Sequence, residues 1–119
     1  MTASRNEPLR FSLRQLEIFT AVASTGTTAE AGQFLAMSQS AVSAALKALE
    51  TNHNAELFDR VANRLLLNPT GRQLEVRARL LLEEARQLQA ELLSVSPSGD
   101  LNISASFTIA NHLMVDYLA

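Results

Sequence analysis

Two helix-start signals lie eleven residues apart in the stretch TTAEAGQFLAMSQSAVSAALKALE, residues 27–50. Thr27 is followed three residues later by Glu30, which is the spacing of a capping box, and Ser38 precedes a second run of good helix formers. This pattern predicts a short helix over 28–35, a tight turn, and another helix from residue 38. Helices this short are stable only when their apolar faces pack on one another.

A further helix precedes this pair. Ser12 and Gln15 form another capping-box pattern, and Gly26 is a natural stop for a helix over 13–25. In the helix from Ser38, three apolar residues fall at helical spacing and define one buried stripe: Val42, Leu46 and Leu49. In the short helix between them, we expect three buried residues: Ala31, Phe34 and Leu35.

A small hairpin is predicted after the third helix. Two short extended segments, 58–61 and 65–67, flank a turn formed by Ala62, Asn63 and Arg64. Arg60 and Arg64 therefore bracket this turn. Asn68 and Pro69 then open a long helix, because Asn is a favoured N-cap and Pro is favoured at the first helical position.

The long helix over 69–95 carries an apolar stripe with alternating spacings of four and three: Leu74, Ala78, Leu81, Ala85, Leu88 and Leu92. This a/d heptad pattern predicts a dimerisation helix that pairs with a second copy of the chain. The alternative is a helix that lies on the core of its own domain. Residues 96–100, SPSGD, then form a linker, and an alternating strand pattern follows it.

Composition excludes several classes of protein. The chain of 119 residues has no cysteine, which excludes disulfides and thiolate metal sites. It has no apolar run long enough to span a bilayer and no visible signal peptide, so we expect a soluble cytoplasmic protein without cofactor or metal. Charge is uneven: residues 1–72 hold seven Lys/Arg against six Asp/Glu, whereas residues 73–119 hold three against six. Any anionic partner would therefore meet the first part of the chain.

Together these elements predict a mainly α fold, a winged helix-turn-helix of three helices and a short β-hairpin followed by a long dimerisation helix. The third helix keeps a polar edge near its start, which suits reading of base edges in the major groove of DNA. Gln39 can make a bidentate contact with adenine, Ser40 and Ser43 can contact either kind of base pair, and Lys47 is placed for a phosphate. Arg60 and Arg64 would approach the flanking backbone or minor groove.

The chain also resembles the DNA-binding domain of LysR-type transcriptional regulators over residues 13–95. The motifs that carry this resemblance are L-x-x-F from Leu16, S-Q-x-x-x-S from Ser38, L-E at Leu49, L-F-x-R from Leu57, and L-T-x-x-G from Leu67, with Asn68 in place of Thr. The resemblance implies a bacterial regulator that binds double-stranded operator DNA as a homodimer, with a tetramer possible in the full-length protein. The residues it implies at the DNA are Thr28, Ser38, Gln39, Ser40, Ser43, Ala44, Lys47, Arg60, Asn63 and Arg64.

The resemblance further implies a C-terminal domain that binds an unknown small-molecule effector. Residues 101–119 resemble its first strand and helix, and the effector would bind near Ser106 and Thr108. The expected organisation is a winged helix-turn-helix over 12–68, a linker and dimerisation helix over 69–95, and a linker with the truncated start of the effector domain over 96–119. Gly32 stands where the family usually has alanine, so we expect a second helix less stable by roughly 1 kcal/mol.

Two other classes of protein compete with a DNA-binding regulator. An enzyme is disfavoured because His53 and His112 have no paired carboxylate or nucleophile at an interpretable spacing. A protein-interaction module that uses only the long helix is the stronger rival. Retention on immobilised DNA that falls with salt separates the two, because a module of that kind shows none.

Overall fold

The computed structural model describes residues 6–95, and it confirms a mainly helical winged helix-turn-helix with a long final helix. Ser106, Thr108 and the strand expected over 101–105 lie outside the described residues. The elements are α1 Leu13–Thr25, α2 Thr28–Leu35, α3 Gln39–Asn52, β1 Phe58–Val61, β2 Arg64–Leu67 and α4 Pro69–Leu93.

The helix starts follow the predicted caps. The Ser12 hydroxyl accepts a hydrogen bond from the Gln15 N–H at 3.1 Å, and the Gln15 side chain accepts one from the Ser12 N–H at 2.9 Å. The Thr27 and Ser38 hydroxyls cap α2 and α3 by accepting from the main-chain N–H of the residue three positions on, without the reciprocal side-chain bond seen at Ser12. Each cap satisfies a donor that the first turn of a helix leaves without an intrahelical partner.

The helix ends depend on left-handed backbone. Gly26 ends α1 at φ 87°, as its position after the last turn predicts, and Asn54 follows α3 at φ 50°. Ala36 ends α2 at φ 57°, although alanine is disfavoured in this region. The turn between α2 and α3 is therefore tight enough to outweigh a local backbone preference.

The core gathers one face of each helix together with Leu57 from the connection to the hairpin. Its members are Leu16, Ile18, Phe19, Val22, Ala31, Val42, Leu46, Leu49, Leu57, Ala78 and Leu82. The expectation that Phe34 is buried was wrong, because its side chain is 71% exposed, and Leu35 is half-buried. Helical spacing places Phe34 on the same side of α2 as Ala31. The eight-residue helix buries Ala31 in the core but leaves the side chain of Phe34 in solvent.

Gly32 has a structural role that its helix propensity does not reveal. The residue is buried, and a Cβ built on it would lie 2.6 Å from the carbonyl oxygen of Met37. The Met37 N–H in turn donates to the Gly32 carbonyl oxygen at 2.8 Å. The missing side chain lets the chain fold back closely at the α2–α3 turn, which offsets the propensity cost of glycine within a helix.

The hairpin turn is shorter than the sequence indicated. Only Ala62 and Asn63 form it, both with positive φ (51° and 66°), as a two-residue hairpin turn of the I′ type requires. Arg64 belongs to β2, where it pairs with Val61, so its assignment to the turn was wrong. Arg60 pairs with Leu65 one step further along the antiparallel ladder.

Asn68 caps α4 and also ties it to the loop before β1. Its Oδ1 accepts a hydrogen bond from the Gly71 N–H at 2.7 Å, which confirms the predicted cap. Its Nδ2 donates to the Glu56 carbonyl oxygen at 2.8 Å, and its main-chain N–H donates to the Leu57 carbonyl oxygen at 3.0 Å. The start of α4 is thus held against the segment that leaves α3.

The chain forms two compact units, one ending at Leu82 and one beginning at Glu83. The expected boundary stood at 68/69, before the long helix. In the first unit, Ala78 is fully buried and Leu82 is 4% exposed, so the N-terminal part of α4 belongs to the core of the first unit. For this part of the helix the alternative interpretation, packing on its own domain, applies.

Candidate nucleic-acid interface

The outward face of α3 carries polar and small side chains. Gln39, Ser40, Ser43, Ala44 and Lys47 are all exposed. The opposite face is closed by three buried apolar residues: Val42, Leu46 and Leu49. The helix therefore packs on the core with one side and presents the predicted recognition residues to solvent with the other.

Two of the predicted serines contact the helix start. The Ser38 hydroxyl accepts a hydrogen bond from the Ala41 N–H at 3.1 Å, and it lies 3.2 Å from the Ser40 hydroxyl. Ser38 is thus the N-cap of α3, and Ser40 is its neighbour at the same end. Ser43 lies one turn further along, where the structure shows an exposed side chain.

Gln39 and Thr28 meet across the helix-turn-helix. The Gln39 amide nitrogen Nε2 donates a hydrogen bond to the Thr28 hydroxyl oxygen at 3.2 Å. Thr28 is the first residue of α2 and Gln39 is the first residue of α3, so the turn brings the two helix starts together. Both residues were predicted to contact DNA, and the structure joins them directly.

Four predicted DNA-contacting residues share a concavity of about 410 Å³ between α3 and the hairpin: Thr28, Ser43, Lys47 and Arg60. Two cationic side chains and two hydroxyls provide the donors that a phosphate accepts. Glu50 and Glu56 also line this concavity. The Glu50 carboxylate accepts a hydrogen bond from the Leu57 N–H at 2.8 Å, so one of its oxygens holds the α3–β1 connection.

The two hairpin arginines lie on opposite faces of the ladder. Cross-strand partners share a face and neighbouring residues alternate, so Arg60 and Leu65 lie on one face while Val61 and Arg64 lie on the other. Arg60 lines the concavity beside α3, whereas Arg64 lines a different one with Gly26 and Glu75. The strand register therefore places the two arginines in different concavities.

Arg64 is tied to the end of α1. Its guanidinium donates from Nη2 to the Thr25 carbonyl oxygen at 2.7 Å, and the next residue, Leu65, donates its N–H to the Gly26 carbonyl oxygen at 2.8 Å. A Cβ on Gly26 would collide with the Arg64 guanidinium. Sequence reasoning missed this contact, because Thr25 and Arg64 are 39 residues apart and no local pattern links them.

The remaining predicted residue of the wing, Asn63, is exposed at the turn. Its left-handed backbone is a conformation that asparagine adopts more readily than most residues. Asn63 therefore has a structural reason to occupy the turn, independent of any contact with DNA.

The predicted dimerisation stripe is used in part by the first unit itself. Ala78 is fully buried and Leu74 is half-buried against the core, which corrects the assignment of Ala78 to a contact between chains. Leu82, which the heptad pattern left out, is a core residue. Leu81 is 41% exposed. In the second unit, Ala85 is half-buried, while Leu88 and Leu92 are 57% and 61% exposed.

The described residues hold no group of three or more His, Asp or Glu side chains that could bind a metal ion. Among residues 6–95, none of the helices combines the length and apolar character that crossing a bilayer demands. The His53 ring nitrogen Nδ1 lies 2.7 Å from the Leu49 carbonyl oxygen, and its ring is tilted against that of Phe11 at 6.0 Å. These contacts give His53 a structural role at the end of α3.

Comparison with solved structures identifies chains of the same architecture. The chain is similar to the DNA-binding domain of CbnR in complex with DNA, with a TM-score of 0.64 and 31% identity over 67% of this chain and 92% of that one. It is also similar to an OxyR mutant from Corynebacterium glutamicum, with a TM-score of 0.69 and 27% identity over 76% of this chain and 28% of that one.

Curated relatives are transcriptional regulators by name. The chain is 45% identical over 111 residues to an uncharacterized HTH-type transcriptional regulator, YeiE, of Escherichia coli K12, covering 93% of this chain and 37% of YeiE. It is 30% identical over 113 residues to CrgA of Neisseria meningitidis serogroup B, covering 93% of this chain and 38% of CrgA. The chain spans little more than a third of the length of these relatives.

The family model described as "Bacterial regulatory helix-turn-helix protein, lysR family" matches residues 13–72. This match covers α1, α2, α3, both strands and the capped start of α4. It takes in all ten residues predicted to contact DNA and more than half of the residues that the structure describes. The chain therefore belongs to the LysR family of bacterial regulatory helix-turn-helix proteins.

Proposed function

We propose that the chain is the DNA-binding part of a LysR-type transcriptional regulator. In this proposal α3 enters the major groove of operator DNA and the hairpin approaches the flanking backbone. The observation that carries it is the convergence of the exposed face of α3 with Thr28 and Arg60 on one side of the domain. The DNA complex of the similar CbnR domain supports the same role for this fold.

The contacts divide into two kinds in this proposal. Gln39 and Ser43 project from the exposed side of α3 and reach base edges, while Lys47 and Arg60 neutralise phosphates. Ser38 contributes by capping α3, and Ala44 offers an apolar surface to a thymine methyl group. Arg64 holds the hairpin on α1 through Thr25.

We propose that α4 pairs with its counterpart in a second copy of the chain. Within the first unit Leu81 remains partly exposed, and within the second unit Leu88 and Leu92 are more than half exposed. A dimer doubles the phosphate contacts, which matters because the first 72 residues carry a net charge of only +1. A tetramer, an effector domain and a small-molecule effector in the full-length protein stay predictions, as does a cytoplasmic location.

A non-enzymatic role follows from the same proposal. The alternative, a protein-interaction module that uses only α4, is favoured by the exposed leucines of that helix. A DNA-binding regulator and a protein-interaction module differ in whether they bind DNA. A module of that kind needs none of the polar residues on the exposed side of α3.

The test measures binding of fluorescently labelled duplex DNA by fluorescence anisotropy over a series of salt concentrations. The proposal expects an affinity that falls steeply with salt, and a double variant Lys47→Ala/Arg60→Ala with a smaller slope of log K against log salt. Gln87→Ala, on α4, serves as a control with an unchanged slope. Absence of salt-dependent binding by the unmodified chain would leave the interaction module as the better account.

A further inference from the structure

We propose that Thr28 is a positioning residue for Gln39, and that the hydrogen bond between them makes the recognition helix select adenine at the base that Gln39 contacts. The inference rests on the proposed DNA binding and deepens it. It assigns to Thr28 a role that acts through another side chain. Thr28 then contributes to the choice of sequence without reading a base itself.

Both ends of this hydrogen bond rest on fixed backbone. Thr28 follows the N-cap Thr27, whose hydroxyl accepts from the Glu30 N–H at 3.0 Å. Gln39 follows the N-cap Ser38, whose hydroxyl accepts from the Ala41 N–H at 3.1 Å. The 3.2 Å contact between the Gln39 Nε2 and the Thr28 hydroxyl therefore joins the first residues of two capped helices.

The bond restricts a side chain that is otherwise free to move. Gln39 is exposed, and an exposed glutamine loses rotamer entropy when a ligand immobilises it. Because Thr28 is half-buried at the start of α2, its hydroxyl can hold the carboxamide before DNA arrives. Preorganisation of this kind strengthens a contact without adding a new one.

The orientation in the structure suits adenine. With one N–H of Nε2 on Thr28, the carboxamide keeps its second N–H for purine N7 and its oxygen for the adenine N6 amino group. Guanine carries the acceptor O6 where adenine carries that amino group, so the same orientation would place two acceptors together. A carboxamide released from Thr28 can turn its NH₂ group toward both guanine acceptors.

A hydrogen bond from the hairpin holds the turn that precedes Thr28. The Leu65 N–H donates to the Gly26 carbonyl oxygen at 2.8 Å, which holds the turn that leads into α2. Thr28 also lines the concavity that contains Ser43 and Lys47. Its side chain thus sits between the base-reading and phosphate-contacting parts of the proposed interface.

The experiment first selects a preferred site from a randomised DNA library with the unmodified 119-residue chain. Repeating the selection with Gln39→Ala identifies the contacted base pair as the position at which preference is lost. Dissociation constants are then measured for sites with adenine or guanine there, with the unmodified chain, Thr28→Val and Thr28→Ser. Valine keeps the shape of threonine and removes its hydroxyl, whereas serine keeps the hydroxyl.

We expect the unmodified chain to favour adenine by at least about tenfold, since a bidentate contact discriminates to that extent. Thr28→Val should lower this ratio by about fivefold or more, because the hydrogen bond that orients the Gln39 carboxamide toward adenine is lost. Thr28→Ser should retain it. In the Gln39→Ala background Thr28→Val should change the ratio no further, because a positioning residue has nothing left to position.

Two results would overturn the inference while leaving the proposed function intact. In the first, the Thr28→Val variant prefers adenine over guanine as strongly as the unmodified chain does. In the second, Thr28→Val weakens that preference equally in the presence and in the absence of the Gln39 side chain. Circular dichroism establishes that each variant is folded, and Thr28→Ser supplies a folded comparison. A chain that selects no sequence from the library would instead overturn the proposed function, and the inference with it.

Discussion

The guanidinium of Arg64 donates a hydrogen bond to the carbonyl oxygen of Thr25, at 2.7 Å, and so joins the hairpin to the C-terminal end of α1. The last carbonyls of a helix carry partial negative charge and lack intrahelical partners, which makes them good acceptors for a cation. Arg60, four residues earlier, lies on the other face of the hairpin beside Lys47. The register of a two-stranded ladder thereby separates two arginines that look equivalent in the sequence.

This separation predicts different salt responses for two alanine variants. Arg60→Ala should reduce the slope of log K against log salt by up to about 2 in a dimer, because each lost phosphate contact removes about 0.9. Arg64→Ala should reduce the slope less, and it should lower the midpoint of thermal unfolding because the hairpin loses one of its hydrogen bonds to the end of α1. DNA titrations at several salt concentrations and thermal melts of both variants measure this. If both substitutions reduced the slope by the same amount relative to the unmodified chain, Arg64 would contact phosphate as Arg60 does.

Gln39 should determine sequence preference more than overall affinity. Gln39→Ala is expected to weaken binding to the selected operator by about 1–3 kcal/mol while binding to random DNA barely changes. The exposed position of Gln39 at the start of α3 is the reason. Competition titrations with operator and random duplexes measure both quantities. Equal losses on the two would show that Gln39 only positions the domain.

The dimer interface of α4 can be located by a pair of charge substitutions. Leu88 lies in the heptad stripe and Leu80 lies outside it, yet their exposed fractions are similar, 57% and 62%. Leu88→Glu should yield monomers, since a charge in an apolar helix seam is unfavourable. Leu80→Glu should leave the dimer intact.

Size-exclusion chromatography with light scattering measures the mass of both variants. A dimer that survives Leu88→Glu and is lost with Leu80→Glu would place the contact on another side of α4. Leu82→Glu is unsuitable as a comparison, because Leu82 is a core residue and a charge there would unfold the first unit.

Gly71, the one glycine of α4, should be sensitive to substitution. A Cβ there would collide with the Leu57 carbonyl oxygen and lie 2.9 Å from a methyl group of Leu67. We expect Gly71→Ala to lower the free energy of unfolding by about 1–3 kcal/mol, as overpacked sites do, despite the better helix propensity of alanine. Chemical denaturation measures it, with Gln73→Ala as an exposed control expected to change stability by no more than about 0.5 kcal/mol.

The sequence alone determined the order of the helices and where each one begins, because caps act locally. Ser12, Thr27, Ser38 and Asn68 each satisfy N–H groups within three residues, so their patterns are readable without the fold. The exposed edge of α3 could also be predicted from the sequence, because it lies on the side of the helix opposite its apolar stripe. Family motifs in the same residues led to the operator-binding hypothesis.

Contacts between distant segments required the tertiary structure. Whether Phe34 or Leu82 is buried depends on which surfaces meet, and a helical period alone leaves that open. The heptad stripe mixed residues that pack within the first unit with residues that remain exposed, because an apolar stripe does not specify its partner. The placement of Arg60 and Arg64 on opposite faces of the hairpin depended on a one-residue difference in where the turn ends, since each step along a strand reverses the face of the side chain.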